Sequence, residues 1–190
     1  AEHCGTDHNE IMIDFSDLTN SLPKILWHME LPFGRPSILS NYMVSKEIKK
    51  FVTVAYTGEG SDELFGGYNR YLPFVKDSNF FQKTKNYEAV TSGFFKDETM
   101  RSEIFSDNVL KHFKNNNHPS VVFNNLLKRN SEHGILNNVL YFELKTEIPG
   151  AQTWRIDRTA SAHAIELREP FLDYKLIEYT ASVPENLKIN

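Results

Sequence analysis

A short acidic turn between glycines contains the residues of this sequence that are best suited to chemistry. The string GEGSDELFGGY occupies residues 58–68 and brings Glu59, Asp62 and Glu63 close together along the chain. Three carboxylates would repel an unshielded phosphate, so the turn favours phosphate binding only where a divalent cation intervenes. Mg²⁺ prefers one or two carboxylates together with phosphate oxygens. The turn therefore predicts either Mg²⁺ with a polyphosphate or a site without phosphate.

The elements around this turn suit a ligand site at the edge of a sheet. Residues 51–57 are β-branched or aromatic and apolar on both faces except for the threonines, as in a parallel strand covered by helices. Ligands in open parallel sheets lie beyond the carboxyl ends of the strands. After the strand we expect a short helix from Asp62 to Phe65, capped by Ser61 and ended by Gly66.

The same acidic residues also have a purely structural explanation. Negative side chains in the first turn of a helix interact favourably with the helix dipole, and glycines at the end of a strand are often simply part of a turn. We therefore expect Glu63, which follows Asp62, to do no more than favour the start of the helix. The two explanations make different demands on the burial and contacts of these carboxylates.

The rest of the chain has helical periodicity in most places. A second short strand is predicted at residues 10–14, and we expect the fold to be α/β but predominantly helical. Two strands do not make a satisfactory parallel sheet, so further strands are expected from outside these residues. The principal helices are predicted at 38–50, 120–133, 135–148, 157–165 and 173–182.

Composition narrows the class of protein. The 190 residues carry a net charge of −4 and no basic stretch, which gives no electrostatic reason to bind nucleic acid. No apolar run is long enough for a membrane span, and a single cysteine, Cys4, favours a reducing cytoplasm. We expect Cys4 to be a small core residue. The seven histidines lack zinc-site spacing.

Three blocks of the sequence resemble the glutamine-hydrolysing asparagine synthetase family. The turn at 58–68 matches the family signature almost residue for residue, and IDRTASAHAIELREPFLD at 156–173 is similar to a second family block. A weaker resemblance covers 6–33, and the three blocks follow the family's order. The resemblance implies an ATP-pyrophosphatase fold, a parallel sheet between helices, with residues 1–75 as part of its α/β lobe and 76–190 as a mostly helical portion.

The resemblance also implies a reaction and roles for individual residues. Aspartate would attack the α-phosphorus of ATP to give an aspartyl adenylate and pyrophosphate, and ammonia from a glutaminase domain would then displace AMP. By position, Thr57 and Gly58 would line the AMP pocket, Glu59 would act in forming and consuming the adenylate, and Asp62 would hold Mg²⁺ and pyrophosphate. The glutaminase domain and the family's Ser-Gly-Gly-x-Asp-Ser phosphate loop are not among these residues, so we expect the chain alone to be inactive.

A second charged set lies in the downstream block, and two interpretations of it remain open. Glu166 and Arg168 either lie near the substrate cleft or belong to a buried ion-pair network that holds the helical portion together. Of the two, we favour the ion-pair network. The set comprises Asp157, Arg158, Glu166, Arg168 and Asp173.

Two other functions remain alternatives to asparagine synthesis. One is a related enzyme that amidates or cyclises another carboxylate, as β-lactam synthetases do. Glu59 argues against that enzyme, because the β-lactam-forming relatives have tyrosine at this position. The other alternative is a non-catalytic module that kept the fold for binding.

Overall fold

The computed structural model describes residues 1–76, 102–112, 125 and 134–189, and within them the chain is α/β and mostly helical. The helix predicted at 120–133 lies outside the described residues, apart from position 125. The two strands are β1 (Val54–Tyr56) and β2 (Glu166–Arg168). The helices are α1 (Phe15–Met29), α2 (Ser37–Ile48), α3 (Ser61–Phe65), α4 (Leu72–Lys76), α5 (Asp107–His112), α6 (Ile135–Glu147), α7 (Thr153–Ser161) and α8 (Tyr174–Ser182).

Shorter helical turns connect these elements, and the chain divides into two compact units. The turns are 3₁₀ at Glu2–Cys4, Asn69–Tyr71, Pro170–Leu172 and Glu185–Leu187, and π-helical at Ile148–Gln152. The first unit consists of residues 1–57 and 149–170, and the second of residues 58–148 and 171–190.

The first unit is built around a two-stranded parallel sheet. β1 pairs with β2 so that Val54 lies opposite Glu166 and Tyr56 opposite Arg168. The backbone N–H of Thr57 extends the ladder by donating to the Arg168 carbonyl at 3.0 Å. Helices α1, α2 and α7 pack together beside this sheet. Their buried core consists of Ile25, Met29, Ile38, Tyr42 and Met43.

Asp14 explains why the strand predicted at residues 10–14 is not formed. Its carboxylate accepts hydrogen bonds from the backbone N–H groups of Ser16 and Asp17 and so caps α1. The residue that alternation assigned to a strand therefore ends an extended segment and starts a helix, because satisfying free N–H groups at a helix start is favourable.

The second unit has its core between α6 and the segment that follows the glycine turn. Leu136, Val139 and Leu140 of α6 are buried against Tyr71 and Phe74. The spacing of these α6 residues is that of one helical face, which is why the helix predicted at 135–148 forms at nearly those bounds.

A buried ion pair lies within this core. Glu143 is on the same face of α6 and is only 1% exposed. Arg70 donates to both carboxylate oxygens of Glu143, from Nε at 3.1 Å and from Nη2 at 2.7 Å, and the Tyr71 hydroxyl donates to Oε2. Burial, and then the charge of Glu143, raises the pKa of Tyr71 well above its ordinary value. The three side chains satisfy one another at the edge of the core, where Glu143 and Tyr71 are buried and Arg70 is partly exposed.

We expect Glu143→Gln to lower the free energy of unfolding by about 3 kcal/mol, because it leaves the Arg70 charge without its buried partner. Urea denaturation of the variant and the parent protein measures this. Glu178→Gln on α8 is the matched control, since Glu178 is exposed and its loss should change stability by less than about 0.5 kcal/mol. Equal stabilities of the two variants would contradict a structural role for the pair.

Other sequence expectations had mixed outcomes. Helices α2 and α8 form close to their predicted bounds, but α7 begins four residues before the predicted 157. The expectation that Cys4 is a core residue is wrong, because its side chain is exposed along with all of residues 1–10. Among the described residues, none of the helices combines the length and the apolar character needed to cross a bilayer.

Candidate active site

The turn after β1 has a backbone conformation that requires glycine. Gly60 has φ +91°, a conformation that strains any other residue, and a Cβ there would also require the Leu172 side chain to move. The Ser61 hydroxyl donates to the Gly58 carbonyl at 2.8 Å. Helix α3 begins at Ser61 with Gly60 in the cap position, which corrects the expectation that Ser61 caps it.

Asp62 is held against the second glycine pair at the end of α3. Its carbonyl accepts hydrogen bonds from the N–H groups of Gly66 at 2.8 Å and Gly67 at 3.1 Å. A Cβ at Gly67 would overlap the Oδ1 atom of Asp62. Glycine at position 67 is therefore what allows the carboxylate to lie against the backbone of the turn. Asp62 as a residue is only half-buried, so part of it remains accessible to solvent.

Glu63 has a different environment from the one that sequence predicts. It is 1% exposed, and its Oε1 accepts a hydrogen bond from the Tyr68 hydroxyl at 3.0 Å. Burial raises the pKa of Glu63, the nearby charges of Asp62 and Glu59 add to that increase, and the Tyr68 hydrogen bond opposes it. The expectation that Glu63 only favours the helix start is incomplete, because the carboxyl group is part of the packed interior.

The other predicted site residues precede Asp62 along the chain. Gly58 is exposed and Glu59 is half-buried, and both belong to the turn in the second unit. Thr57 is half-buried at the end of the first unit, and its backbone continues the β1–β2 ladder. Glu59 and Asp62 both act electrostatically on the buried Glu63, so the turn brings three carboxylates within one electrostatic environment.

Glu166 and Arg168 lie on β2, beside β1 in the first unit. Arg168 Nη2 is 2.8 Å from Glu166 Oε1, and the two side chains are 57% and 59% exposed. The expectation of a buried ion-pair network is therefore wrong for this pair. Arg158 instead pairs with Glu30 at 3.1 Å, and Asp173 caps α8 through the Lys175 N–H at 2.9 Å. The charged residues of this block therefore have separate partners and do not form the single network that was predicted.

The acidic turn fits Mg²⁺ only as a partial ligand set. Within the part of the chain that the structure describes, no three His, Cys, Asp or Glu side chains converge to hold a metal by themselves. Mg²⁺ in phosphoryl-transfer sites takes one or two carboxylates and completes its coordination with phosphate oxygens and water. Asp62, which is half-buried and lies close to Gly67, can supply one such carboxylate.

Sequence reasoning missed two features of the site. Tyr68 was identified only as the last residue of the motif at 58–68, whereas its hydroxyl is the hydrogen-bond partner of the buried Glu63. Glu143 was not identified, although an available signal pointed to it. Glu143 lies three residues after Leu140 and seven after Leu136, on the apolar face of α6, and an acidic residue at such a position indicates a buried partner.

The chain belongs to the asparagine synthase family. The family model described as "Asparagine synthase" matches residues 1–190. Asparagine synthetase [glutamine-hydrolyzing] 1 of Bacillus subtilis (strain 168) is 30% identical over 216 residues, which cover 97% of this chain and 33% of that protein.

Other relatives carry similar names. Asparagine synthetase [glutamine-hydrolyzing] of Homo sapiens is 25% identical over 194 residues, which cover 100% of this chain and 24% of the human protein. A putative asparagine synthetase [glutamine-hydrolyzing] of Mycobacterium bovis is 37% identical over 71 residues. The chain thus spans about a third or less of the length of these curated relatives.

Proposed function

We propose that this chain is part of the synthetase region of a glutamine-dependent asparagine synthetase, a ligase that converts aspartate to asparagine with ATP. The observation that best supports this is the position of Asp62. Asp62 is half-buried, and its carboxylate lies close to Gly67 on a turn that directly follows a parallel strand. The names of the relatives, which this chain matches over nearly its whole length, support the choice of reaction.

We propose that β1 and β2 belong to a larger sheet of the ATP-pyrophosphatase type. Phe51 and Tyr56 are apolar yet 70% and 73% exposed, and Val54 on β1 is 40% exposed. Exposed apolar strand residues are typical of a sheet face or edge that further elements cover. In this proposal residues 1–75 are part of the α/β lobe and residues 76–190 are the mostly helical portion of the same synthetase domain.

The proposed reaction has two steps. In the first, a side-chain oxygen of aspartate bonds to the α-phosphorus of ATP and pyrophosphate leaves, which gives aspartyl adenylate. In the second, ammonia from the glutaminase domain attacks the acyl carbon and AMP leaves. Thr57 and Gly58 would bind the AMP portion. Glu59 would bind the ammonium ion, which predominates at neutral pH, and take the proton released during attack.

Asp62 is the residue that would hold Mg²⁺ in this scheme. Mg²⁺ bound there would neutralise charge on the phosphate oxygens of ATP. The contribution of the chain is to place this carboxylate close to Gly67, on a turn whose backbone is already hydrogen-bonded at the Asp62 carbonyl before the ligand arrives. Preorganisation of this kind matters because adenylation places further charge on a group that is already strongly anionic.

For Glu166 and Arg168 we propose the role near the substrate cleft. Both side chains are exposed, and Arg168 is opposite Tyr56 at the carboxyl ends of β1 and β2. Ligands of parallel sheets bind beyond that edge. An exposed ion pair contributes little to stability, so its loss should affect folding only slightly.

Turnover by the longer protein tests the proposal. With the regions that flank this chain in the relatives, it should release AMP and pyrophosphate and form asparagine in equal amounts from ATP, aspartate and glutamine. The 190-residue chain alone should release no AMP. ATP cleavage that requires a carboxylate other than aspartate would support the related amidotransferase or β-lactam-forming enzyme instead. No ATP cleavage with any carboxylate would support a non-catalytic module, and turnover by the chain alone would contradict its expected inactivity.

A further inference from the structure

The hydrogen bond between Tyr68 and Glu63 closes the segment that carries Asp62. The Tyr68 hydroxyl donates to Glu63 Oε1 at 3.0 Å, across the end of α3 and the glycine turn. Glu63 is 1% exposed, so its carboxyl group has lost its water and depends on hydrogen-bond partners inside the protein. Breaking this hydrogen bond costs free energy because it leaves a buried carboxyl group without that partner. The bond therefore restricts how far residues 63 and 68 can move apart.

Asp62 lies inside the segment closed by that bond. Between the two bonded residues, the N–H groups of Gly66 and Gly67 both donate to the Asp62 carbonyl, and the Cα of Gly67 lies against the Asp62 carboxylate. If the segment opened, the backbone of Gly67 would withdraw from Oδ1. The place of Asp62 in the turn thus depends in part on a bond to which Asp62 does not contribute.

Tyr68 is itself anchored to the core of the second unit. The guanidinium of Arg70 lies over the Tyr68 ring, 4.0 Å from its centroid, and the same guanidinium forms the two-point contact with Glu143 of α6. The Tyr68 ring also contacts the Tyr71 ring, at 5.6 Å between centroids. A fixed ring places its hydroxyl accurately, so the hydrogen bond transmits the rigidity of α6 to the turn.

We propose that Glu63 and Tyr68 form a positioning pair that holds the backbone of Asp62 where its carboxylate can bind Mg²⁺. This inference rests on the proposed function, because it assigns Mg²⁺ to Asp62. The pair itself does not contact the ligand. Its effect is to reduce the number of conformations that Asp62 must give up when the cation binds.

The test compares variants of the longer protein in three measurements. Tyr68→Phe removes one hydroxyl and keeps the ring, so we expect the fold to survive. In the absence of metal, backbone hydrogen exchange at Gly66 and Gly67 should become faster. The Mn²⁺ concentration for half-maximal binding, followed by electron paramagnetic resonance with ATP present, should rise about fivefold. The Mg²⁺ requirement of pyrophosphate release should rise similarly, with a smaller change in turnover at saturating Mg²⁺.

Two further variants separate positioning from general stability. Glu63→Gln keeps an oxygen that accepts from Tyr68, so its Mg²⁺ requirement should stay near that of the parent, whereas Glu63→Leu should behave as Tyr68→Phe does. Tyr179→Phe is the matched control, because Tyr179 is 68% exposed in the same unit. If Tyr68→Phe lowers Tm but changes neither the exchange rates nor the metal requirement, the inference is overturned.

Asp62→Asn in the same titrations distinguishes the two proposals. If it raises the metal requirement and Tyr68→Phe does not, the positioning role fails and the proposed function stands. If Asp62→Asn leaves the metal requirement unchanged, the assignment of Mg²⁺ to Asp62 fails, and the positioning role fails with it.

Discussion

Glu59→Gln should reduce asparagine formation by the longer protein by about 10²–10⁴-fold, the range expected when a positioned acid or base is lost. The change keeps the size and hydrogen-bonding capacity of the side chain but removes its negative charge, which the proposed mechanism requires for binding ammonium and taking its proton. Glu59 is only half-buried, so Tm should hardly change. Coupled assays of AMP and asparagine, together with a thermal melt, measure both effects.

Glu63→Gln, four residues after Glu59, is the matched control. Glu63 is buried and bonded to Tyr68, and glutamine can still accept that hydrogen bond. Glu63→Gln should therefore keep most of its synthesis and change the free energy of unfolding by about 1 kcal/mol. Glutamate release from glutamine should survive both changes, because that chemistry is assigned to another domain. Loss of synthesis in Glu63→Gln with full synthesis in Glu59→Gln would show that the catalytic role belongs to Glu63 and not to Glu59.

Local sequence signals were enough to predict much of the site's framework. The apolar strand, the glycine turn and a short helix ending at Gly66 all form within residues 51–67, although strand β1 is shorter than the predicted 51–57. These features depend on neighbours within a few positions: β-branched residues favour a strand, and glycines permit turns that other residues do not. Helix α6 was predictable for the same reason, since its apolar face repeats at helical spacing.

Features set by distant contacts were not predictable from local patterns. Strand β2 has three residues, Glu166–Arg168, and no alternation long enough to indicate a strand. It forms because it pairs with β1, more than a hundred residues earlier, and that pairing satisfies backbone groups on one side of the strand. Asp14 is a different case, in which a local pattern was misleading. Alternation over five residues indicated a strand, but the favourable capping of α1 by the Asp14 carboxylate determines the structure.

The burial of Glu63 was also invisible to local reasoning. A first-turn glutamate on an exposed helix and one inside a core have the same sequence context. In this structure Glu63 is buried, and its carboxylate accepts a hydrogen bond from the Tyr68 hydroxyl. The two neighbouring carboxylates therefore differ in kind. Asp62 retains exposure and is held from the backbone side by Gly67, whereas Glu63 is enclosed and holds the turn together.

That difference predicts a specific kinetic effect of Asp62→Asn in the longer protein. The substitution keeps the shape of the side chain against Gly67 and removes the charge that would bind Mg²⁺. An interaction that strengthens as charge develops on the phosphate lowers turnover when it is lost, more than it weakens substrate binding. We therefore expect pyrophosphate release at saturating Mg²⁺ to fall about 100-fold, the cost of losing one preorganised electrostatic contact. The KM for aspartate should change little.

Asp107→Asn is the control that isolates the metal role from the helix dipole. Asp107 is also an exposed acidic residue in the first turn of a short helix, α5, so its substitution removes the same kind of dipole interaction. It should lower stability by at most about 1 kcal/mol and leave turnover intact. If Asp62→Asn and Asp107→Asn released pyrophosphate at the same rate at saturating Mg²⁺, the carboxylate of Asp62 would be a helix-start residue and nothing more. A loss confined to Asp62→Asn would follow from the proposed metal role, which the Asp107 carboxylate does not share.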